Sequence, residues 1–356
     1  MTSESAAQGP ASDSRDRPLR IVAIGGGTGL STLLLGLKPF AYPRSAPRVD
    51  ITAVVTVTDD GGSSGRLRRD FKVLPPGDIR NCMVALSEDE ALLSQLFQYR
   101  FSRGRGLKGH SFGNLFLTAL TNVTGDFPQA VKVSAEVLAI AGRIYPSTAA
   151  NVALEALLED GQKVLGETRI SRSRSRIRTV SLSRKCGPLK ETLEAIAAAD
   201  LITLGPGSLF TSLAPNLLVE GIPQAIAASP AVKACIVNLM WQPGETIGFT
   251  AADHVAAIEE HAHLKLLDYV ILNTRPISEA MLRRYARQKA HPVENDLERL
   301  REMGVKVVGG HLLQEGERVR HDPAALASLA LELAAEGRRR RDSVPSPRHR
   351  TASETT

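Results

Sequence analysis

Short continuous apolar runs punctuate the chain, each leading into a turn of small residues and then into a helical period. In LRIVAIGGGTGLSTLLLGLK, the run Ile21 to Ile24 passes through a glycine turn into Leu33, Leu34, Leu35 and Leu37, which predicts strand, loop and helix. The same order returns in ADLITLGPGSLFTSLAPNLL, with Leu201 to Leu204 as strand, Gly205 to Gly207 as turn and Ser208 as helix cap. Further runs at Ile51 to Val57, Ala234 to Met240, Asp268 to Asn273 and Val305 to Gly310 lack strict alternation, as befits strands covered on both faces. Helical segments fall between them, for example Asp253 to His263 and Pro292 to Met303. The pattern predicts an α/β fold, a doubly wound, Rossmann-like and mainly parallel sheet.

One stretch breaks this grammar. Thr168 to Ser181 alternates at period two, Arg with Ser and then apolar with polar, which predicts an antiparallel β ribbon inserted within residues 150–190. The domain itself is expected to span residues 19–325, after a disordered tail of residues 1–18. Residues 326–356 read as a helix end and then, beyond Gly337, an unstructured basic tail.

Composition adds limits. Of 356 residues, 43% are hydrophobic and 23% charged, which fits an ordinary globular protein. No apolar run approaches the roughly 20 residues of a spanning helix, so no membrane span is expected. The opening residues lack the apolar core of a signal peptide, which points to the cytoplasm. Cys82, Cys186 and Cys235 lie far apart, so neither a zinc knuckle nor a disulfide framework is indicated. The net charge of +6 is concentrated in SRSRSRIR and GRRRRD, and no aromatic residues interleave with those arginines to stack on bases. A solvated strand face is the expectation for SRSRSRIR and an unstructured tail for GRRRRD, with no specific nucleic-acid binding.

The candidate chemistry lies in the loops. Gly25, Gly26, Gly27, Thr28 and Gly29 would present backbone N–H groups and a helix N-terminus to an anion, and the missing side chains allow close approach. The stretch is neither a Walker loop nor a full dinucleotide fingerprint, since Leu30 stands where a last glycine belongs. Asp59 and Asp60 follow the next predicted strand. Asp59 there could accept ribose hydroxyls or hold a divalent cation such as Mg2+ against a diphosphate, while Asp60 fits a capping aspartate equally well. Arg66, Arg68 and Arg69 could meet phosphate. LPPGDIRNC brings Asp78, Arg80 and Asn81, and GHSFGNLFL brings His110 and Asn114 around Ser111, a plausible helix cap. A histidine in that position is expected to be a structural hydrogen-bonder more than an acid or base. Gly205, Gly207 and Ser208 form a second potential anion nest, and Asn216, Asn238 and Asn273 stand where amides could read sugar or base. No nucleophile with its base is visible, so no catalytic residue is assigned.

The motifs IGGGTGLSTLLLGLK, TVTDDGGSSGRLR, PGDIRNC, LFQYRF, GHSFGNLFL, LGPGSLFTS, PNLL, QPGET and ILN occur in an order that resembles the YvcK/GlmR, or gluconeogenesis factor, family. The resemblance covers Arg20 to Pro323, departing at Phe210, where Tyr is usual, and Trp241, where Thr is usual. That family is grouped with CofD-like proteins, whose enzymatic members transfer phospholactate in deazaflavin coenzyme synthesis. The resemblance implies a cytoplasmic regulator that binds UDP-N-acetylglucosamine or a related nucleotide sugar, links carbon supply to cell-wall precursor synthesis and cell shape, and in some members acts on glucosamine-6-phosphate synthase. It also implies UDP-sugar roles for Tyr285 and Arg320, which by the residues alone would pass as a helix-surface aromatic and a solvated charge. A homo-oligomer is compatible with these features. The alternative is a metal-dependent phospholactate transferase acting on a nucleoside diphosphate donor.

Overall fold

A computed structural model describes residues 17–42, 47–88 and 91–343. Seven strands form one sheet: β1 (Leu19–Gly25), β2 (Val49–Val55), β3 (Arg143–Pro146), β7 (Leu201–Leu204), β8 (Val232–Ile236), β9 (Tyr269–Asn273) and β10 (Lys306–Gly310). Their order is β10-β9-β8-β7-β1-β2-β3, and every neighbouring pair is parallel. The chain builds outward from β1 to β3 on one side, then returns to β7 and builds outward to β10 on the other. The order therefore reverses between β1 and β7, at the place where open α/β sheets hold ligands beyond their carboxyl ends.

Burial explains the continuous apolar runs. Ile21 and Ala23 join the core on one face of the sheet, while Val22 and Ile24 join the core on the other. Helices pack on both faces, so neither side of these strands meets water, and alternation would bury polar groups. Element bounds move by a few residues from the sequence reading: the helices expected at Asp253 to His263 and Pro292 to Met303 run over Ala251–Ala262 and Leu297–Glu302.

The insertion is a separate three-stranded antiparallel sheet of β4 (Leu154–Leu158), β5 (Lys163–Leu165) and β6 (Ile177–Leu182), in the order β5-β4-β6. The antiparallel insertion expected within residues 150–190 is thus present, but Thr168 to Arg176 is not strand. Glu167–Ile170 forms a helical turn, pinned by fully buried Ile170 and by Asp60, whose Oδ1 accepts from Thr168 N at 2.8 Å and Thr168 Oγ1 at 2.7 Å. A final hairpin joins β11 (Leu313–Glu315) to β12 (Val319–His321).

The C-terminal reading also needs correction. One helix runs over Pro323–Ser343, so residues through 343 belong to the domain and Gly337 lies within a helix. A side chain at Gly337 would strike the Asp200 carbonyl. Asp200 is fully buried, and its Oδ2 accepts from Arg338 Nη2 at 2.6 Å and Arg20 N at 2.8 Å. Arg341 Nη2 donates to the Ala199 carbonyl, and its Nε lies 3.4 Å from Asp200 Oδ1. The arginines expected in a solvated tail instead fasten the last helix beneath β1 and β7. The tails expected at residues 1–16 and 344–356 lie outside the described residues.

Candidate functional site

At the reversal point the two glycine-rich loops touch. Gly25 closes β1, Gly26 is extended, and a helix begins at Gly27 with no side-chain cap. A Cβ on Gly29 would lie 2.5 Å from the Pro206 carbonyl oxygen and 2.8 Å from Gly207 Cα, so only glycine permits this approach. Gly205 N donates to the Ile24 carbonyl at 2.9 Å, locking the second loop to β1. Thr28 stands exposed above the contact, and Gly27 and Gly205 take positive φ values of 62° and 91°. Both loops thus turn their small residues to one crevice.

Ser208 and Asn216 differ from expectation. Ser208 makes no side-chain cap, and its Oγ accepts from Gln242 Nε2 at 2.9 Å. Asn216 is fully buried and donates to the Gly25 and Ser212 carbonyls at 3.3 and 2.7 Å. From the short helix Ala214–Leu217 it acts as a strut under the glycine loop.

Asp59 emerges beyond β2. Its Oδ1 accepts from Gly61 N at 2.8 Å, and a Cβ on Gly77 would lie 2.6 Å from both its Oδ2 and Ser64 Oγ. Asn114 Nδ2 donates to Ser64 Oγ at 3.3 Å, and the buried Asn114 Oδ1 has no partner. Ser111 caps that helix through Asn114 N, as expected. Buried His110 meets Ser63 Oγ through Nδ1 at 3.0 Å, and burial, then nearby Arg66, holds its pKa below the ordinary imidazole value. Asn81 Oδ1 accepts from Arg80 Nη2 at 2.6 Å, orienting that arginine. Arg66 and Arg68 donate to the Lys108 and Val152 carbonyls at 3.0 and 2.6 Å, and Arg69 is exposed, so the structure gives none of the three a phosphate-facing role.

Three further carboxylates, Asp78 of the PGD turn among them, join this wall. Asp78 packs behind the glycine loop, where a Cβ on Gly26 would lie 2.7 Å from its Oδ2. Burial, then Asp59, pushes its pKa up to about 7, although it accepts from the Gly27 amide. Glu167 enters from the insertion with a buried Oε2 that lacks a partner. Its pKa is raised by burial and then by Asp78, Asp59, Glu245 and Asp60. Glu245 is buried, accepts from Thr211 Oγ1 at 3.0 Å and Phe210 N at 3.3 Å, and is raised by burial. Asp59 is raised by burial too, with Asp60 adding to it. Crowded carboxylates out of water resist ionising together. Among the described residues no group of three or more His, Cys, Asp or Glu side chains can close around a metal ion. A cation at Asp59 would therefore complete its coordination from a ligand's phosphate oxygens and water.

On the other wing, a cavity of about 380 Å³ opens over β8 and β9, bordered by Asn238, Asn273, Arg275, Leu282 and Asn295. Tyr285 stands on the helix Glu279–Ala286 that contributes Leu282, and its hydroxyl accepts from Val319 N at 3.0 Å. Exposed Arg320 follows on β12. The structure thus brings Tyr285 and Arg320 together near this cavity, on the wing opposite Asp59.

The profile of the 2-phospho-L-lactate transferase CofD family matches residues 21–313. The chain belongs to the CofD family. Among its relatives, the gluconeogenesis factor of Bacillus subtilis is 47% identical over 89% of this chain and 98% of its own. That of Halalkalibacterium halodurans is 46% identical over 88% of this chain and 95% of its own. A crystal structure of a Bacillus halodurans protein superposes with a TM-score of 0.85 at 45% identity, covering 88% of this chain and all of that one. These confirm the gluconeogenesis factor resemblance and the α/β fold. In this CofD family chain, Asp78 was legible through the PGD turn, whereas Glu167 had no local signal; beside it, the φ of 94° at Gly166 and its contact with Asp60 Oδ2 forbid a side chain.

Proposed function

We propose that the protein is a cytoplasmic, UDP-sugar-binding regulator of the gluconeogenesis factor type. UDP-N-acetylglucosamine is its ligand, and it couples carbon supply to cell-wall precursor synthesis and cell shape, with glucosamine-6-phosphate synthase as a partner. The contact of Gly29 with Pro206 and Gly207 carries this reading. It aligns two side-chain-free loops at the reversal of the sheet, where backbone N–H groups and a helix N-terminus favour a diphosphate. The names of the relatives support the regulatory role. Among the described residues no helix is long and apolar enough to cross a membrane, which is compatible with the location proposed.

Where Mg2+ binds, Asp59 is the residue to hold it, and the ion supplies charge neutralisation to a diphosphate. Titration calorimetry with UDP-N-acetylglucosamine at millimolar concentration, with and without magnesium, tests the reading; silence in both arms removes it. A second reading, phospholactate transfer, draws on the crowding of Asp59, Asp78, Glu167 and Glu245. Nucleoside monophosphate release that depends on a deazaflavin alcohol and is lost in Asp59→Asn would establish that reading instead.

A further inference from the structure

We infer that the helix Ala91–Gln98 is one half of a two-fold interface, in which a second copy of this chain packs the same helix against it in antiparallel register. The inference is independent of the nucleotide-sugar reading, since the surface lies outside the crevice and its partner is the chain itself.

The helix has two apolar faces where a surface helix needs one. Its inner face is anchored by Phe97, which is 1% exposed, with its ring 6.0 Å from that of Phe112 and 5.1 Å from that of Phe116. Its outer face carries Leu92 and Leu96. Tyr99 follows just past the helix end, where its N–H donates to the Leu96 carbonyl at 3.1 Å and continues the turn. Positions i, i+4 and i+7 share one face of a helix, and these three side chains are 79%, 40% and 51% exposed. Single exposed apolar residues are ordinary, but a stripe of them marks an interaction surface.

The charge on either side of the stripe identifies the occupant. In sequence the helix follows the acidic run SEDE and leads into YRFSRGRGLK, which holds four cations and no carboxylate. Glu88 is exposed at the first end, and Arg100, Arg103, Arg105 and Lys108 are exposed at the second. The basic end is a fastened hairpin. Phe101 N donates to the His110 carbonyl at 2.9 Å, Gly109 N to the Phe101 carbonyl at 2.7 Å and Phe112 N to the Tyr99 carbonyl at 2.8 Å. Tyr99 also packs edge-on against Phe101, with ring centres 5.1 Å apart.

A surface that is acidic at one end, apolar along its middle and basic at the other is complementary to itself when turned about a two-fold axis. Antiparallel pairing about the middle of the helix sets Leu92 of each copy beside Leu96 of the other, and Glu88 of each toward the basic hairpin of the other. Parallel pairing would set acid against acid and base against base. A polyanion, whether nucleic acid or anionic membrane, would be drawn to the hairpin and repelled at the acidic end, so it matches only half of the surface.

Sedimentation velocity of the full chain over about 1–100 µM tests the interface, because an association of this kind depends on protein concentration; thermal melts of each variant confirm folding. The wild type is expected to form a dimer as concentration rises. Leu96→Glu sets two like charges near the axis and is expected to stay monomeric throughout. Glu88→Lys and Arg103→Glu are each expected to raise the dimer dissociation constant about 10-fold, because symmetry applies each reversal twice. Mixing these two variants in equal amounts, or joining both changes in one chain, puts opposite charges back into both contacts. Either is expected to return the constant to within about 3-fold of the wild type. A wild type that stays monomeric overturns the proposal, as does a dimer indifferent to all three substitutions, or reversals that mixing does not rescue. A monomer that binds single-stranded RNA or anionic vesicles through Arg103 also overturns it and gives the surface to a polyanion.

Discussion

Gly29→Ala puts the meeting of the two loops to a quantitative test. Gly29 lies in the first turn of the helix Gly27–Leu37, and its φ is not in the left-handed range. Local propensity alone therefore predicts that alanine stabilises the helix by up to about 1 kcal/mol. The structure predicts the opposite sign. The new Cβ would meet the Pro206 carbonyl at 2.5 Å and Gly207 Cα at 2.8 Å, and both are backbone atoms that cannot rotate aside. Separating them works against the Gly205 to Ile24 hydrogen bond of 2.9 Å. Overpacking of this kind costs about 1–3 kcal/mol, which leaves a net loss of up to about 2 kcal/mol after the full propensity gain. Urea denaturation measures that loss, with Gly187→Ala, where an added Cβ meets nothing within 4 Å, as the control. Calorimetry should show affinity for UDP-N-acetylglucosamine reduced about 10-fold or more as the loops part. A Gly29→Ala protein as stable as wild type, binding the ligand equally well, would refute the converging-loop argument.

Three further predictions follow from buried charge. Asp200→Ala strips the acceptor from Arg338 and Arg20 N and the counter-ion from Arg341, and should cost about 3–5 kcal/mol in chemical denaturation; a loss below about 1 kcal/mol would mean the arginines are solvated after all. Asp78 has a folded pKa of about 7, above that of the unfolded chain, so the folded state holds its proton longer and this group lowers stability as pH rises from about 4 to about 7. Asp78→Asn should remove that decline in melts taken across the window, and an unchanged profile would show the carboxyl to be solvated. His321 is buried against the Val237 carbonyl with its pKa lowered to about 4, so its contribution is full above the unfolded value and fades as pH falls from about 6.5 to about 4. His321→Gln should flatten that acid-side loss, and a profile as steep as wild type would contradict the assignment.

The sheet was legible because its strands are buried on both faces, and such strands spell themselves out as uninterrupted apolar runs. The glycine loops were legible for a related reason: Gly25 to Gly29 and Gly205 to Gly207 sacrifice packing and propensity where the chain could have kept both. What stayed hidden was side-chain direction and long-range pairing. Asn216 looks like a ligand-reading amide, yet it is buried in the helix Ala214–Leu217 with its Nδ2 on the Gly25 and Ser212 carbonyls. Arg338 and Arg341 look like a solvated tail because Asp200, their partner, lies more than a hundred residues away in sequence. Glu167 sits in an arginine-rich insertion where nothing local announces a buried carboxylate.

The paired aspartates show how tertiary structure divides a motif. In sequence, Asp59 and Asp60 are equivalent, and either could cap a turn or hold a cation. The structure separates them. Asp60 Oδ1 receives both the amide and the hydroxyl of Thr168, and Gly166 is left without a side chain to admit its Oδ2. Asp60 therefore fastens the insertion to the sheet edge, and that attachment carries Glu167 to the crevice. Asp59 has its Oδ1 on Gly61 and its Oδ2 toward Gly77 and Ser64, so of the pair it is the one not spent on the insertion. One carboxylate builds the wall and its neighbour is the one proposed to meet the ligand, so Asp59→Asn and Asp60→Asn should differ, although the chain writes the two side by side.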